Sequence, residues 1–374
     1  MLYLLYSADY ELYLGRNHQP EEAVLIQPTA ALLATCEQLA IPLTLFADVA
    51  CLWRYRELGR KDFPARAEAQ LVTALQRGHD VQTHLHPHWS QTRMVDGCFH
   101  FDPRHYRLGT WSEDPEERFR NTSAWLRQAA DYLTTLLRPH DPGYRCLAFR
   151  AGGYGLQPDE KMILQALLDT GYRIDSSIIP GARLTSAVQQ VDFTRLPDSG
   201  NFWIDPAHGL DRPAPEGQGL FEIPIAAGRF DPWQRLMIRG PEAVEQAAAI
   251  LLDRAPPPLR GEPCHLPPPP PPARSWKRAY WRARAVLASD FQRLELGANP
   301  RSLLACLERH LEAAPRKTLF LSMNIHPKGV HPTHLKTLTR FHHTLAARLG
   351  DQFQAITFQQ AWERLRQSSG SEAT

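Results

Sequence analysis

Two textures alternate along the chain. Apolar runs rich in β-forming residues occur at Leu2–Ala8, Leu43–Ala47, Asp80–His84, Cys146–Arg150, Arg173–Ile178, Leu220–Ile225, Thr318–Ile325 and Phe353–Thr357. Between them, apolar positions recur with helical spacing over Pro28–Leu39, Ala65–Arg77, Asp114–Leu137, Pro158–Thr170, Pro241–Asp253, Arg301–Ala313, Pro332–Leu349 and Phe358–Arg366. A buried parallel strand is apolar on both faces, whereas a helix lying on a sheet is apolar along one stripe. The alternation therefore predicts βαβ units and a mostly parallel sheet. Seven or eight such units suit a closed or nearly closed barrel, and an open doubly wound sheet is the alternative.

One segment departs from this rhythm. Arg254–Ser275, RAPPPLRGEPCHLPPPPPPARS, is too dense in proline for a helix or a central strand and reads as a polyproline-like insertion. Trp276–Asp290 after it interleaves arginine with tryptophan and tyrosine, as an amphipathic helix would. Residues 367–374 read as a disordered tail, so the pattern describes one domain over 1–366 interrupted by the insertion.

Composition narrows the class. The chain has 42 basic and 40 acidic residues among 374, a net charge of +2, with no basic block of the kind nucleic acid selects. No apolar run approaches the ~18 residues of a membrane span. The first residues, MLYLLYSADYE, have no basic stretch before their apolar part and read as a buried strand, not a secretion signal. Six scattered cysteines without CxxC spacing read as reduced thiols. Together these features lead us to expect a cytoplasmic protein of undetermined oligomeric state.

In a parallel barrel, chemistry gathers where the strands end. The first run ends in Asp9 and Glu11, which share a face at i and i+2, and the third ends in Gln82-Thr83-His84-Leu85-His86-Pro87-His88. CLAFR ends in Arg150 before a glycine-rich turn containing Tyr154, YRIDSS supplies Asp175, and the last long run closes on His326. Imidazoles beside carboxylates make a potential site for a divalent cation; the alternative is a polar strand end without an ion. Leu85 stands where an HExxH motif would need glutamate. His84 and His88, four apart, are the expected ligand pair, with His86 in a supporting role.

These residues resemble a known pattern. SADYE at 7–11, HLHPH at 84–88, FRAGGYG at 149–155, YRIDSSI at 172–178, LFEIPI at 220–225 and NIHP at 324–327 follow one another as in the polysaccharide deacetylase family, the NodB-homology or carbohydrate esterase family 4 domain. The resemblance implies a distorted (β/α)7 barrel and a divalent metal ion, zinc first, with cobalt or manganese as alternatives. It also implies an N-acylated sugar or glycan as substrate. Carried over position by position, it makes Asp9 the general base and His326 the general acid, with Arg150 steadying the base. Tyr154 falls in the turn that offers an oxyanion its N–H, Asp175 is a further catalytic acid, and His84 and His88 are metal ligands. Tyr10 stands where the family has a second aspartate, so Glu11 becomes the carboxylate ligand, or Asp9 takes that place. A deformylase or small-molecule amidase on the same fold, and an inactive sugar-binding relative, are the other readings.

Overall fold

The computed structural model describes residues 1–13, 21–186, 188–196, 200–252, 275–297, 299–314 and 317–370. The proline-rich segment up to position 274, and the tail beyond 370, lie outside the described residues.

Seven parallel strands form the frame: β1 (Leu2–Tyr10), β2 (Leu43–Asp48), β3 (Asp80–Leu85), β4 (Ala148–Ala151), β5 (Ile174–Asp175), β6 (Leu220–Glu222) and β7 (Leu319–Ile325). They run side by side in the order β6-β5-β4-β3-β2-β1-β7, and Phe353–Ala355 pairs with the start of β1. The chain beyond β6 meets β7 at the Ile225–Ser322 bridge, where Ser322 N–H donates to Pro224 O at 2.9 Å. The ring thus closes at the carboxyl end. At the other end it is splayed by the antiparallel strand Phe202–Ile204, which pairs with β6. This is a distorted α/β barrel, as the alternation of textures predicts.

Among the described residues, ten α-helices accompany the strands: α1 (Gln27–Gln38), α2 (Val49–Glu57), α3 (Asp62–Gln76), α4 (Pro115–Leu137), α5 (Glu160–Asp169), α6 (Pro232–Leu251), α7 (Trp276–Ala288), α8 (Pro300–Ala313), α9 (Pro332–Leu349) and α10 (Phe358–Gly370). Three differ from expectation. Helix α2 had no sequence signal, because Val49-Ala50-Cys51-Leu52 continues the apolar run of β2 without a helical stripe. Helix α6 starts at Pro232, ahead of the expected Pro241, because Asp231 and Gln234 form a complete capping box and outcompete the later proline as a start signal. Helix α10 continues through Gly370, over the first residues of the expected tail.

The barrel interior is layered. Strand alternation sends Leu4, Tyr6, Ala8 and Tyr10 outward to the helices and Leu5, Ser7 and Asp9 inward. An apolar floor of Leu5, Phe46, Ala148, Ile174, Phe221 and Phe320 lies with Phe358 and Ala361 of α10. Above the floor sits Arg150, fully buried, its guanidinium 4.1 Å from the Phe46 ring centroid. Carboxylates and histidines occupy the rim above that.

The cysteines need one correction. Cys36, Cys51, Cys146 and Cys306 are free, but Cys98 is disulfide-bonded, so the thiols are not all reduced.

Candidate active site at the carboxyl rim of the barrel

Arg150 is the centre of the polar layer. Its Nη1 donates to Asp9 Oδ1 at 2.7 Å and Asn324 Oδ1 at 3.1 Å, and its Nε to Ser176 O at 3.0 Å. Its Nη2 reaches the hydroxyls of Ser7, Ser176 and Ser322 at 2.8–3.0 Å. A buried guanidinium needs every donor engaged and a counter-charge close by, and this cage supplies both. Asn324 Nδ2 donates to the other oxygen of Asp9 at 3.1 Å and also to Tyr154 Oη at 3.2 Å. Burial alone would raise the Asp9 carboxyl; Arg150, with His84 and His326, outweighs it, and the net shift is downward. Asp9 is thus a buried carboxylate held ionised.

His326 follows the end of β7. Its Nε2 lies 3.3 Å from Asp9 Oδ2 and 3.6 Å from Glu11 Oε1, and its Nδ1 lies 3.2 Å from Glu295 Oε1. Burial would lower its pKa, but the hydrogen bond to Glu295 and the charge of Asp9 outweigh that and raise it. Glu295 is the functional residue that sequence reasoning missed. It arrives through the bridge Glu295–Asn324, where Leu294–Leu296 wedges between Ala226 and β7. The only sequence signal was an acid inside the short apolar stretch Leu294-Glu295-Leu296.

The potential ligand group differs from the expected pair. Donor atoms of Glu11, His84 and His86 lie within 4.8 Å of one another, all buried, and Asp9, Glu11 and His326 form an overlapping group. His84 Nε2 lies 3.5 Å from Glu11 Oε2, and His86 Nε2 contacts the same oxygen. His88 is not in either group: β3 ends at Leu85, Pro87 opens a 3₁₀ turn, and the His88 ring turns in among Trp89, Phe101 and Tyr106. Burial, then His86, holds the His88 pKa well below its ordinary value, so the ring is neutral.

Neighbouring residues fix the His84 imidazole and the backbone that carries His86. His84 Nδ1 is 2.8 Å from Arg150 O, and since a carbonyl only accepts, Nδ1 carries the proton and Nε2 faces Glu11. Asp48 at the end of β2 accepts from His86 N–H at 3.2 Å and Trp89 Nε1 at 2.8 Å, pinning the turn. Gly152 lies so close that a Cβ there would stand 2.5 Å from Leu85 O and 2.7 Å from the His86 ring.

The residues fit a divalent cation. Glu11 Oε2, His84 Nε2 and His86 Nε2 are buried and converge, with no hydrogen-bond partner outside their own group. A carboxylate oxygen beside two imidazole nitrogens, one with its tautomer fixed by a backbone carbonyl, is the donor set and outer support that zinc-type ions take. Lys328 meets the other oxygen: its Nζ is 2.8 Å from Glu11 Oε1. Burial would raise the Glu11 pKa, but Lys328 and His86 outweigh it and hold it well below the usual range.

Tyr10 and Asp175 stand apart from this group. Tyr10 points outward and donates to Gln70 Oε1 at 2.9 Å, so it makes no claim on the site. Asp175 does not join the rim. It accepts from Ser177 N–H and Oγ at 3.1 and 2.8 Å, and Glu222, its register partner on β6, shares a hydrogen bond with it. Burial raises both carboxyls, against the lowering influence of Arg150.

No family model matches the chain, and no curated protein matches it. Solved structures do. One is a probable polysaccharide deacetylase from Pseudomonas aeruginosa PAO1, 13% identical with a TM-score of 0.45, covering 97% of this chain and 91% of that one. Another is the PuuE allantoinase, 13% identical with a TM-score of 0.45, covering 96% of this chain and 87% of that one.

Proposed function

We propose that this protein is a metal-dependent deacylase that hydrolyses the N-acyl amide of a sugar or glycan unit. The observation that carries the reading is the pairing of an ionised, Arg150-held Asp9 with a Glu295-held His326, beside the converging buried donor atoms of Glu11, His84 and His86. The ordered motifs from SADYE to NIHP support the same reading.

Glu11, His84 and His86 would hold the ion, with zinc favoured by the mixed nitrogen and oxygen set and cobalt or manganese as alternatives. When bound, such an ion polarises an acyl carbonyl and makes water a better nucleophile at neutral pH. Asp9 accepts the proton of the attacking water, a task for which its carboxylate must be ionised. His326 in its imidazolium form gives a proton to the departing nitrogen, because an amide nitrogen leaves poorly as an anion. Tyr154 and the turn before it border Asp9 through Asn324, and their backbone N–H groups are candidates to meet the developing oxyanion. Water adds to the carbonyl carbon, the C–N bond breaks, and the products are a carboxylic acid and a free amino sugar.

The test is release of amine from a panel of N-acetyl and N-formyl sugars and oligosaccharides. Protein stripped by chelator is compared with protein reloaded with zinc, cobalt or manganese. We expect release that depends on reloading and disappears in Asp9→Asn and His326→Gln. Stoichiometric metal with no amine release from any member of the panel would sink the deacylase reading. One observation favours a second reading, a metal-free sugar-binding relative: Lys328 already puts a cation on Glu11. Failure to bind metal, with sugar binding intact, would select it.

A further inference from the structure

Exposed apolar side chains are concentrated in one place. Among the described residues, nine of the eleven large apolar side chains left in solvent belong to α6, its last-turn neighbour Leu252, or α7. On α6, Trp233, Met237 and Val244 (70%, 59% and 70% exposed) fall at i, i+4 and i+11, one stripe of the helix. On α7, Trp276 and Tyr280 (79% and 59% exposed) fall in the same way at i and i+4. Trp281 lies further round, with the Arg284 guanidinium 5.1 Å from its ring centroid.

These stripes are not frayed ends. The two helices pack together, and Arg282 Nε donates to Gln246 Oε1 across them at 2.6 Å. Helix α6 is anchored beneath by Arg239, which pairs with buried Glu242 at 3.2 Å and donates to Phe291 O at 3.0 Å. Ser302 of α8 donates to the same Glu242 at 3.2 Å. The polar contacts hold the hairpin on the barrel, and the apolar stripes face away from it.

Charge identifies the kind of partner. Helix α7 carries Lys277, Arg278, Arg282 and Arg284 and no acid. Over both helices, six basic residues face two acidic ones, of which Glu242 is buried against Arg239. This one hairpin therefore has a larger positive excess than the +2 of the whole chain. Lys277 and Arg284 lie one step round the helix from the Trp276–Tyr280 stripe. Aromatic side chains flanked by long basic ones match a bilayer interface: rings seat at the headgroup level while ammonium and guanidinium groups reach anionic phosphates. No helix among the described residues is long and apolar enough to cross a membrane, so such a hairpin would lie on the surface.

We propose that the α6–α7 hairpin docks the protein on anionic lipid bilayers. The strand that follows α7, Phe291–Arg293, pairs with Ala227–Arg229 just before α6, and Glu295 at the His326 site lies two residues beyond it. The docking surface and the rim are therefore joined by one short, paired stretch of chain.

Flotation of the full chain with vesicles tests this, and the readout needs no catalytic activity. Vesicles of phosphatidylcholine mixed with phosphatidylglycerol should carry the protein up the gradient at low salt, and pure phosphatidylcholine should carry about tenfold less. Raising the salt concentration should weaken the binding, because exposed charges are screened within about 10 Å at 0.1 M. The triple variant Trp233→Ser, Trp276→Ser, Trp281→Ser removes only exposed rings, so its circular dichroism and unfolding midpoint should match the parent. Its flotation should fall at least tenfold. Equal flotation of parent and variant, or none with anionic vesicles, would overturn the proposal. So would a concentration-dependent dimer dispersed by the triple substitution, which would assign the face to a second copy of the chain.

Discussion

Replacing Arg150 by methionine removes the guanidinium that contacts Asp9 from inside the barrel, at a position of zero exposure. The serine hydroxyls around it retain other partners: Ser7 donates to Met323 O at 2.8 Å and Ser176 to Ile223 O at 2.7 Å. The cost therefore falls on Asp9, left as a buried charge. At 2.7 Å and an effective dielectric near 20, the ion pair attracts by about 6 kcal/mol, and desolvation of both ions offsets roughly half. Arg150→Met alone should cost about 3–5 kcal/mol. Asp9→Asn in that background should cost little more, so the double-mutant cycle should return a coupling of about 3 kcal/mol. Urea unfolding followed by circular dichroism, with chelator present to remove metal, measures all four corners. Single substitutions whose effects add to within about 0.5 kcal/mol would refute the claim that Arg150 exists to hold Asp9 ionised.

Further predictions concern the ligands and a carboxyl outside the site. Zinc affinity, measured by competition with a chromophoric chelator, should fall more than 100-fold in Glu11→Gln, His84→Ala and His86→Ala. In His88→Ala it should fall by about 10–100-fold or less, the size of an outer-support effect; the reverse ranking would restore His88 as a ligand. Asp80, buried beneath Gln82 and Gln359, has its carboxyl pushed up to about 6 by burial. The folded state therefore holds this proton more tightly than the unfolded chain, whose value is about 3.9. Its stabilising contribution is present below about pH 4 and lost as the pH rises through about 6, roughly 3 kcal/mol in all. Asp80→Asn should flatten that part of the stability profile, and an unchanged slope would show that another group is responsible.

The sequence determined a good deal by itself. Seven strands were legible because buried parallel strands are continuous apolar runs, and their polar ends named Asp9, Glu11, His84, Arg150 and His326. Period-two alternation put Asp9 and Glu11 on one face, and the barrel sends Tyr10 between them outward to Gln70. Tertiary structure decided the rest. That His86 and not His88 stands beside Glu11 and His84 hangs on the backbone after Leu85, where the 3₁₀ turn at Pro87 breaks the alternation that spacing arguments assume. Asp175 left the rim because parallel register sets it against Glu222, a partner 47 positions away. Glu295 reached His326 through a single bridge to β7, and Lys328 reached Glu11 from the far end of the chain. Local periodicity fixes which way a side chain leaves its own strand. Which charge it then meets is set by the register and closure of strands distant in sequence, and that the barrel alone decides.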